Sequence, residues 1–338
     1  MRSDLSSFLL FLSSLVAVSP GNATLVPNLH LESLCNQGDL IIVGLVADVR
    51  RGGETTINIQ GQSVEALSMS AELSAQKVLK GKLANARVTF KFFIPPPSGY
   101  GGIARGQFGV FFLRESKSGI EILDPYHPYV VALPGAPGTS GTCLDQVTAE
   151  LAYVVASAAA PPRAKREAVE ALRSLRTSAA ALALTTAARD ADPGTRTLAI
   201  AALLERGEMA WLDPAARILL SQERGVDAYP VWRLTTAIEG RVKDPRAIPT
   251  LVRLLHATDV VVRRAAAAAL RNIGGTEAIG PLTEALGDSD DQVVWTAILG
   301  LALTTGDLHH GPGAEEEFNG KQKETYVNYW RNWAKSQR

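Results

Sequence analysis

Apolar residues follow two different periods along the chain. From Leu144 onward they recur at steps of three and four, the spacing of helices with one buried face; between Leu29 and about Leu133 they alternate, or run in short β-branched and aromatic stretches bounded by glycine and proline. The helical pattern is most regular over Asp244 to Gly306. DPRAIPTLVRLLHATDVVVRRAAAAALRNIG is followed by GTEAIGPLTEALGDSDDQVVWTAILGLALTT, and the second line repeats the first at an offset of 31. Ala247 falls on Ala278, Ile248 on Ile279, Leu251 on Leu282, Leu255 on Leu286, Asp259 on Asp290, Ala266 on Ala297 and Leu270 on Leu301.

Each line predicts two helices. Ile248, Leu251, Leu254 and Leu255 form the apolar face of the first, which starts from Asp244 as N-cap with Pro245 in the first turn. Asp259 caps the second, whose buried face is Val262, Ala266, Ala269, Leu270 and Ile273, and Gly274-Gly275 supply a left-handed stop. One such pair cannot bury its face alone, so neighbours must stack. The small-large pair of the second helix recurs as Ala171-Leu172, Ala202-Leu203, Ala237-Ile238, Ala269-Leu270 and Gly300-Leu301, at steps of 31, 35, 32 and 31. Asp213-Pro214 stands 31 before Asp244-Pro245. This predicts one continuous α-solenoid over 144–308.

Asp244-Pro245, Ala247-Ile248, Leu251, Leu255, Asp259, Val262-Arg263, Ala266, Ala269-Leu270 and Gly274 resemble the HEAT repeat family in its short bacterial form, related to the repeats named from phycobilin lyases. The resemblance implies a right-handed superhelical solenoid that binds partners. It implies no catalytic residue, and lyase activity does not follow from the shared repeat.

The N-terminal half predicts strands over Asp39–Val49, within Ser63–Val78, over Val88–Ile94 (stopped by Pro95-Pro96-Pro97), over Phe108–Leu113 and over Ile120–Leu123, with a turn at Ser116–Gly119. Short strands at this spacing predict a small antiparallel barrel or sandwich. Cys35–Gly44 (CNQGDLIIVG), Val78-Leu79-Lys80-Gly81 and Gly106–Leu113 (GQFGVFFL) resemble the netrin-like domain, the OB-type barrel shared with tissue inhibitors of metalloproteinases. The inhibitory trait of that family needs a cysteine at the mature N-terminus within a Cys-x-Cys pair. Here Cys35 is internal and residue 37 is Gln37, so that mechanism does not carry over.

The remaining segments complete the expected organisation. Arg2, an apolar run from Phe8 to Val18, and small residues at Gly21 and Ala23 predict a signal peptide over 1–23, cleaved to leave Thr24 first. The run is too short to span a bilayer, although it could persist as an uncleaved anchor. The expected location is therefore periplasmic or extracellular. A β domain over 24–133 leads through a Pro/Gly linker, 134–143, to the solenoid and then to a capping segment, 309–338. On that last segment Tyr326, Tyr329, Trp330 and Trp333 share one helix face. The stripe reads as the cap that a solenoid end requires, or as an exposed docking face.

Lys plus Arg and Asp plus Glu both number 34, so the chain lacks the basic excess of a nucleic-acid binder. An exported chain meets an oxidising compartment, so Cys35 and Cys143, which bracket the β domain, are expected to form a disulfide rather than remain free thiols. His30, His127 and His256 are scattered, and His309-His310 reads as a solvated turn; no zinc-ligand spacing occurs, and no cofactor is expected. Gly99–Gly109 is a hairpin loop whose Tyr100, Ile103 and Arg105 are ligand-like, and it precedes no helix that could receive phosphate. Ser140 has no nucleophile elbow. Asp124–Tyr129 (DPYHPY) reads as a barrel rim.

Candidate partner residues come from the repeat itself. Arg264 is two residues from Val262, about 200° round the helix, and so points away from the core. The same repeat position holds Trp295 one repeat later and Trp232 one repeat earlier. Two tryptophans flanking an arginine is a composition enriched in binding hot spots. If the cap helix covers Trp295, only Trp232 and Arg264 remain. The sequence thus predicts an exported, non-enzymatic interaction scaffold with a protein or peptide partner on the concave face of the solenoid. An envelope hydrolase or protease inhibitor acting through the β domain is the alternative, and a purely structural spacer is a third reading.

Overall fold

The computed structural model of the chain describes residues 29–59, 62–94, 102–221, 226–313, 318 and 320–337. The expected signal peptide, Thr24, Tyr100 and the Pro95–Pro97 stop lie outside the described residues.

A short helix, α1 (Leu31–Gln37), opens the described chain and buries Leu31, Leu34 and Cys35. At seven residues it is too brief for its period to stand out in the sequence. Six strands follow: β1 (Leu40–Ile59), β2 (Gln62–Lys80), β3 (Arg87–Ile94), β4 (Phe108–Ser116), β5 (Gly119–Ile122) and β6 (Tyr129–Val131). They form a mixed sheet in the order β1-β2-β3-β5-β4-β6, and a further pairing joins β1 to β4. The expectation of an antiparallel sheet is corrected at one place, where β3 and β5 pair in parallel through Lys91 and Glu121. The β1–β2 hairpin is longer than expected and carries register shifts, at Ile41/Ile42, Val43/Gly44, Val46/Asp48 and Arg51/Glu54, which bend and twist a strand pair. Gly44 is required by close approach: a Cβ there would lie 2.5 Å from the Ser74 carbonyl oxygen.

The sheet is buried on both sides of β1 and β4. Leu40, Ile42 and Val46 join Leu73, Phe90, Phe92, Phe111 and Leu113 in one core. Ile41 and Val43, with Val110, Phe112 and Val130, face the other way into a second core. Two-sided burial is why LIIV and VFFL are continuous apolar runs while β3, covered on one face, alternates. Ile103, expected on a recognition loop, is instead buried in the first core, because its apolar side chain folds under the sheet.

The second core continues without a break into the helices. These are α2 (Cys143–Ala156) with α3 (Pro162–Arg173), α4 (Ser178–Ala187) with α5 (Pro193–Glu205), α6 (Leu212–Ser221) with α7 (Ala228–Arg241), α8 (Ile248–Leu255) with α9 (Val260–Ile273), and α10 (Thr276–Ala285) with α11 (Asp291–Thr305). The second helices stack in one row, α3-α5-α7-α9-α11; in the other row α2 packs on α4, α6 on α8 and α8 on α10. This is the repeat that the small-large pairs foretold: Ala171-Leu172, Ala202-Leu203, Ala237-Ile238, Ala269-Leu270 and Leu301 are all buried in that row. At Gly300, the small residue of the last pair, a Cβ would meet the Leu282 side chain at 2.9 Å. Asp259 and Asp290 cap α9 and α11 as expected, whereas Asp244 caps a 3-10 turn over Pro245–Ala247, so α8 starts only at Ile248.

The stretch expected as a linker is bolted to both units. Ala136 is buried, and its carbonyl accepts a 2.5 Å bond from Lys77 Nζ on β2; the same ammonium meets Glu150 Oε1 of α2 at 2.5 Å. At the other end, α12 (Gly320–Ser336) turns its aromatic stripe inward. Trp330 is fully buried and donates from Nε1 to the His310 carbonyl at 2.9 Å, and Tyr326, Tyr329 and Trp333 pack on the same core. The stripe is therefore a cap. No helix among the described residues is long and apolar enough to cross a membrane.

The expected disulfide is corrected. Cys35, buried on α1, and Cys143, the half-buried first residue of α2, are both free thiols.

Candidate partner-binding surface

Aligning the second helices by their small-large pairs sets Arg166, Thr197, Trp232, Arg264 and Trp295 at one repeat position. At two of the five the structure builds the same device. Arg166 holds Asp192, the N-cap of α5, through Nε at 3.0 Å and Nη2 at 3.2 Å. Arg264 holds Asp290, the N-cap of α11, through Nε at 2.9 Å and Nη2 at 2.6 Å. The residue before each arginine takes the aspartate two positions earlier: Lys165 with Asp190 at 2.6 Å, and Arg263 with Asp288 at 2.8 Å. Each of those aspartates also accepts from the backbone N–H of the capping aspartate, at 2.8 Å in both repeats. A tandem basic pair thus clamps the Asp-x-Asp turn that starts the next second helix. The Arg264 guanidinium holds the Asp290 carboxyl below the usual carboxylate range, against opposing burial, with the Val293 N–H adding to the effect. The signal was present in the sequence as Lys165-Arg166 with Asp190-x-Asp192 and Arg263-Arg264 with Asp288-x-Asp290, legible only once the repeats are aligned.

Trp232 interrupts this ladder. Val231-Trp232 stand where the basic pair would be, opposite the Asp259 cap, and an indole cannot form that ion pair. Trp232 is 53 % exposed. Its ring lies 5.8 Å from that of Tyr229, which is also exposed, and 5.7 Å from the guanidinium of Arg233. Arg233 is buried and anchored by Glu205 at 2.6 Å, so the tryptophan is propped by a fixed neighbour.

Tyr229 also lines a cleft of about 1020 Å³ between the sheet and the helix row. Tyr126, His127 and Tyr129 form its sheet side, and Arg163, Arg166 and Glu170 its helix side. Of the stretch Asp124–Tyr129, expected as a rim, Tyr126 to Tyr129 thus line this cleft, and Asp124 Oδ2 meets His127 Nδ1 at 3.0 Å. The cleft's charges are paired: Arg163 with Glu167, Arg166 with Asp227, and Arg173 with Glu170.

The predicted trio is therefore spread along the row in three different environments. Trp232 is exposed, Arg264 is engaged by Asp290, and Trp295 is half-buried with its indole N–H donated to the Gly313 carbonyl at 3.0 Å. His310 stacks on Tyr329 at 3.5 Å and binds Asp307 at 2.9 Å, and so belongs to the cap. Ser140 is exposed in the stretch before α2. Among the described residues no cluster of three or more His, Cys, Asp or Glu side chains is arranged to hold a metal ion.

A search of curated proteins finds no match to this chain. Residues 227–302, which span α7 to α11 and include Trp232, Arg264 and Trp295, match the family model described as HEAT repeats.

Proposed function

We propose that this chain is an exported, non-enzymatic interaction scaffold: a netrin-like, OB-type β unit rigidly joined to a capped HEAT-type solenoid. The return pairing of β1 with β4 supports reading the sheet as an OB-type barrel. The partner is a protein or peptide that docks on the second-helix row at Trp232, with Arg264 and Trp295 further along it. The observation that carries this is Trp232 itself, a large aromatic side chain exposed at a ladder position and propped by Tyr229 and Arg233. A rigid aromatic anchor presented before binding loses little conformational entropy on docking.

The test is affinity capture from envelope extracts with the whole chain, followed by binding of the purified partner to Trp232→Ala and to the Trp232→Ala/Arg264→Glu double variant. The expected result is retained fold and an affinity lowered by about tenfold or more for each. Full affinity in the double variant refutes this surface. Mass spectrometry of the exported form should begin at Thr24, and a cytoplasmic protein retaining Met1 refutes export.

A further inference from the structure

The cleft between the sheet and the helix row is walled by charges that are already paired. Its lining carries three arginines, Arg163, Arg166 and Arg173, and three carboxylates, Glu167, Glu170 and Asp227. Each arginine meets one of those carboxylates. Arg163 Nε lies 2.9 Å from Glu167 Oε1, Arg166 Nη1 2.9 Å from Asp227 Oδ2, and Arg173 Nε 3.1 Å from Glu170 Oε2. Arg166 and Arg173 are also tied to carboxylates outside the lining, Asp192 at 3.0 Å and Glu205 at 3.1 Å. An anionic ligand would therefore find each of these guanidinium groups engaged and three carboxylates opposing it. What the pairs do offer is N–H donors and carboxylate acceptors side by side. A guanidinium has five N–H groups and a carboxylate about four lone-pair sites, more than these contacts use.

Fixed rings complete the walls. Asp124 Oδ1 accepts from the backbone N–H groups of Tyr126 and His127 at 2.8 and 3.2 Å, and its Oδ2 meets His127 Nδ1 at 3.0 Å. When the neutral imidazole donates Nδ1–H to that carboxylate, Nε2 is left as an acceptor, and it has no hydrogen-bond partner among the described residues. Tyr129 is set against Phe111 on the sheet side, and Tyr229 against Trp232 on the helix side, with ring centroids 5.8 Å apart in both cases. Strand addition by a peptide is disfavoured, because β6, the strand that lines the cleft, is only three residues long and would give few ladder bonds.

We propose that this cleft is a binding site for an uncharged oligosaccharide. A sugar hydroxyl donates one hydrogen bond and accepts two, so it can bridge the carboxylate and the guanidinium of one ion pair without breaking it. The C–H face of a sugar ring stacks on the negative face of a tyrosine ring, which Tyr129 and Tyr229 supply. The volume, about 1020 Å³, lies at the top of the range for one drug-sized ligand and takes several linked rings rather than a monosaccharide. Trp232 does not line the cleft, so this site stands independently of partner docking there.

The experiment is calorimetric titration of the whole chain with neutral chitohexaose, cellohexaose, maltohexaose and laminarihexaose, each carried to about 10 mM so that a Kd near 1 mM is resolved. Inorganic phosphate, a sulfated heparin hexasaccharide and a displayed library of random dodecapeptides are the competing probes. The expected result is saturable binding of at least one neutral probe, changed by less than about twofold between ~0.05 and ~0.5 M salt. Arg163→Ala/Glu167→Ala removes a surface pair whose side chains are 90 % and 41 % exposed, keeps the fold, and should lower that affinity about tenfold. Tyr229→Ala, at an exposed position, should lower it about fivefold. Trp232→Ala should leave it within about twofold, which separates this site from the docking surface. Unchanged circular dichroism and thermal midpoints check that each variant folds. The proposal is overturned if no neutral probe binds, if phosphate or the sulfated hexasaccharide binds more tightly than every neutral probe, if library peptides bind and the neutral probes do not, or if a neutral probe keeps full affinity in both folded cleft variants.

Discussion

Replacing Lys77 by methionine should destabilise the whole chain by about 3–5 kcal/mol. Lys77 Nζ is the ammonium that meets Glu150, whose side chain is only 4 % exposed and whose Oε2 has no hydrogen-bond partner among the described residues. At an effective dielectric of about 20 the attraction at such range is on the order of 4 kcal/mol, and it offsets the desolvation of both groups. Methionine keeps the stem that packs between β2 and α2 but leaves the carboxylate buried without a cation, which is the costly half of the substitution. The Lys77→Met/Glu150→Leu double variant removes both charges and should recover most of the loss. Urea unfolding of the wild type, both single variants and the double variant closes the cycle, and the expected coupling is about 2 kcal/mol or more. All five tryptophans, Trp211, Trp232, Trp295, Trp330 and Trp333, lie in the helical part. Their fluorescence transition should therefore shift with a change made in β2, because one core runs through both units. A Lys77→Met variant within about 1 kcal/mol of wild type, or a tryptophan transition that does not move, would refute the reasoning.

Trp330→Ala removes a fully buried indole and its bond to the His310 carbonyl, and should cost about 3–5 kcal/mol, seen as faster proteolysis and amide exchange in α12. Trp232→Ala, at an exposed position, should change stability by no more than about 0.5 kcal/mol in the same urea assay while lowering partner affinity. Asp290→Ala loses both the α11 cap and the Arg264 rung and should cost about 1–2 kcal/mol. Because Asp290 titrates lower in the folded chain than in the unfolded one, its contribution is fully present above the unfolded value near 3.9 and is lost as pH falls through the folded value. Asp290→Asn should accordingly flatten the loss of stability below about pH 4, measured by urea midpoints across pH.

The periodic part of this protein was determined locally and was therefore legible. A helix that buries one face against like neighbours must repeat small and large residues at fixed steps, and Ala171-Leu172 through Gly300-Leu301 mark each second helix in the sequence alone. Caps such as Asp259 and the stop at Gly274-Gly275 act within a few residues of themselves and could be read in the same way. What lies across elements could not. The sequence marked LIIV and VFFL as strands, but only packing showed which core each face enters, since a continuous apolar run does not say what covers either face. The parallel meeting of Lys91 and Glu121 depends on how β3 and β5 are brought together, not on either strand alone. The row of Trp232, Arg264 and Trp295 followed from helix geometry, yet its chemistry was decided by the neighbours. Asp290 caps the next repeat and takes Arg264, Gly313 takes the indole N–H of Trp295, and Trp232 lacks the charge to bind the Asp259 cap and stays exposed. A side chain's direction is set by its own helix, but its partner is set by a turn some 25 residues away, which only the stacked structure brings within reach.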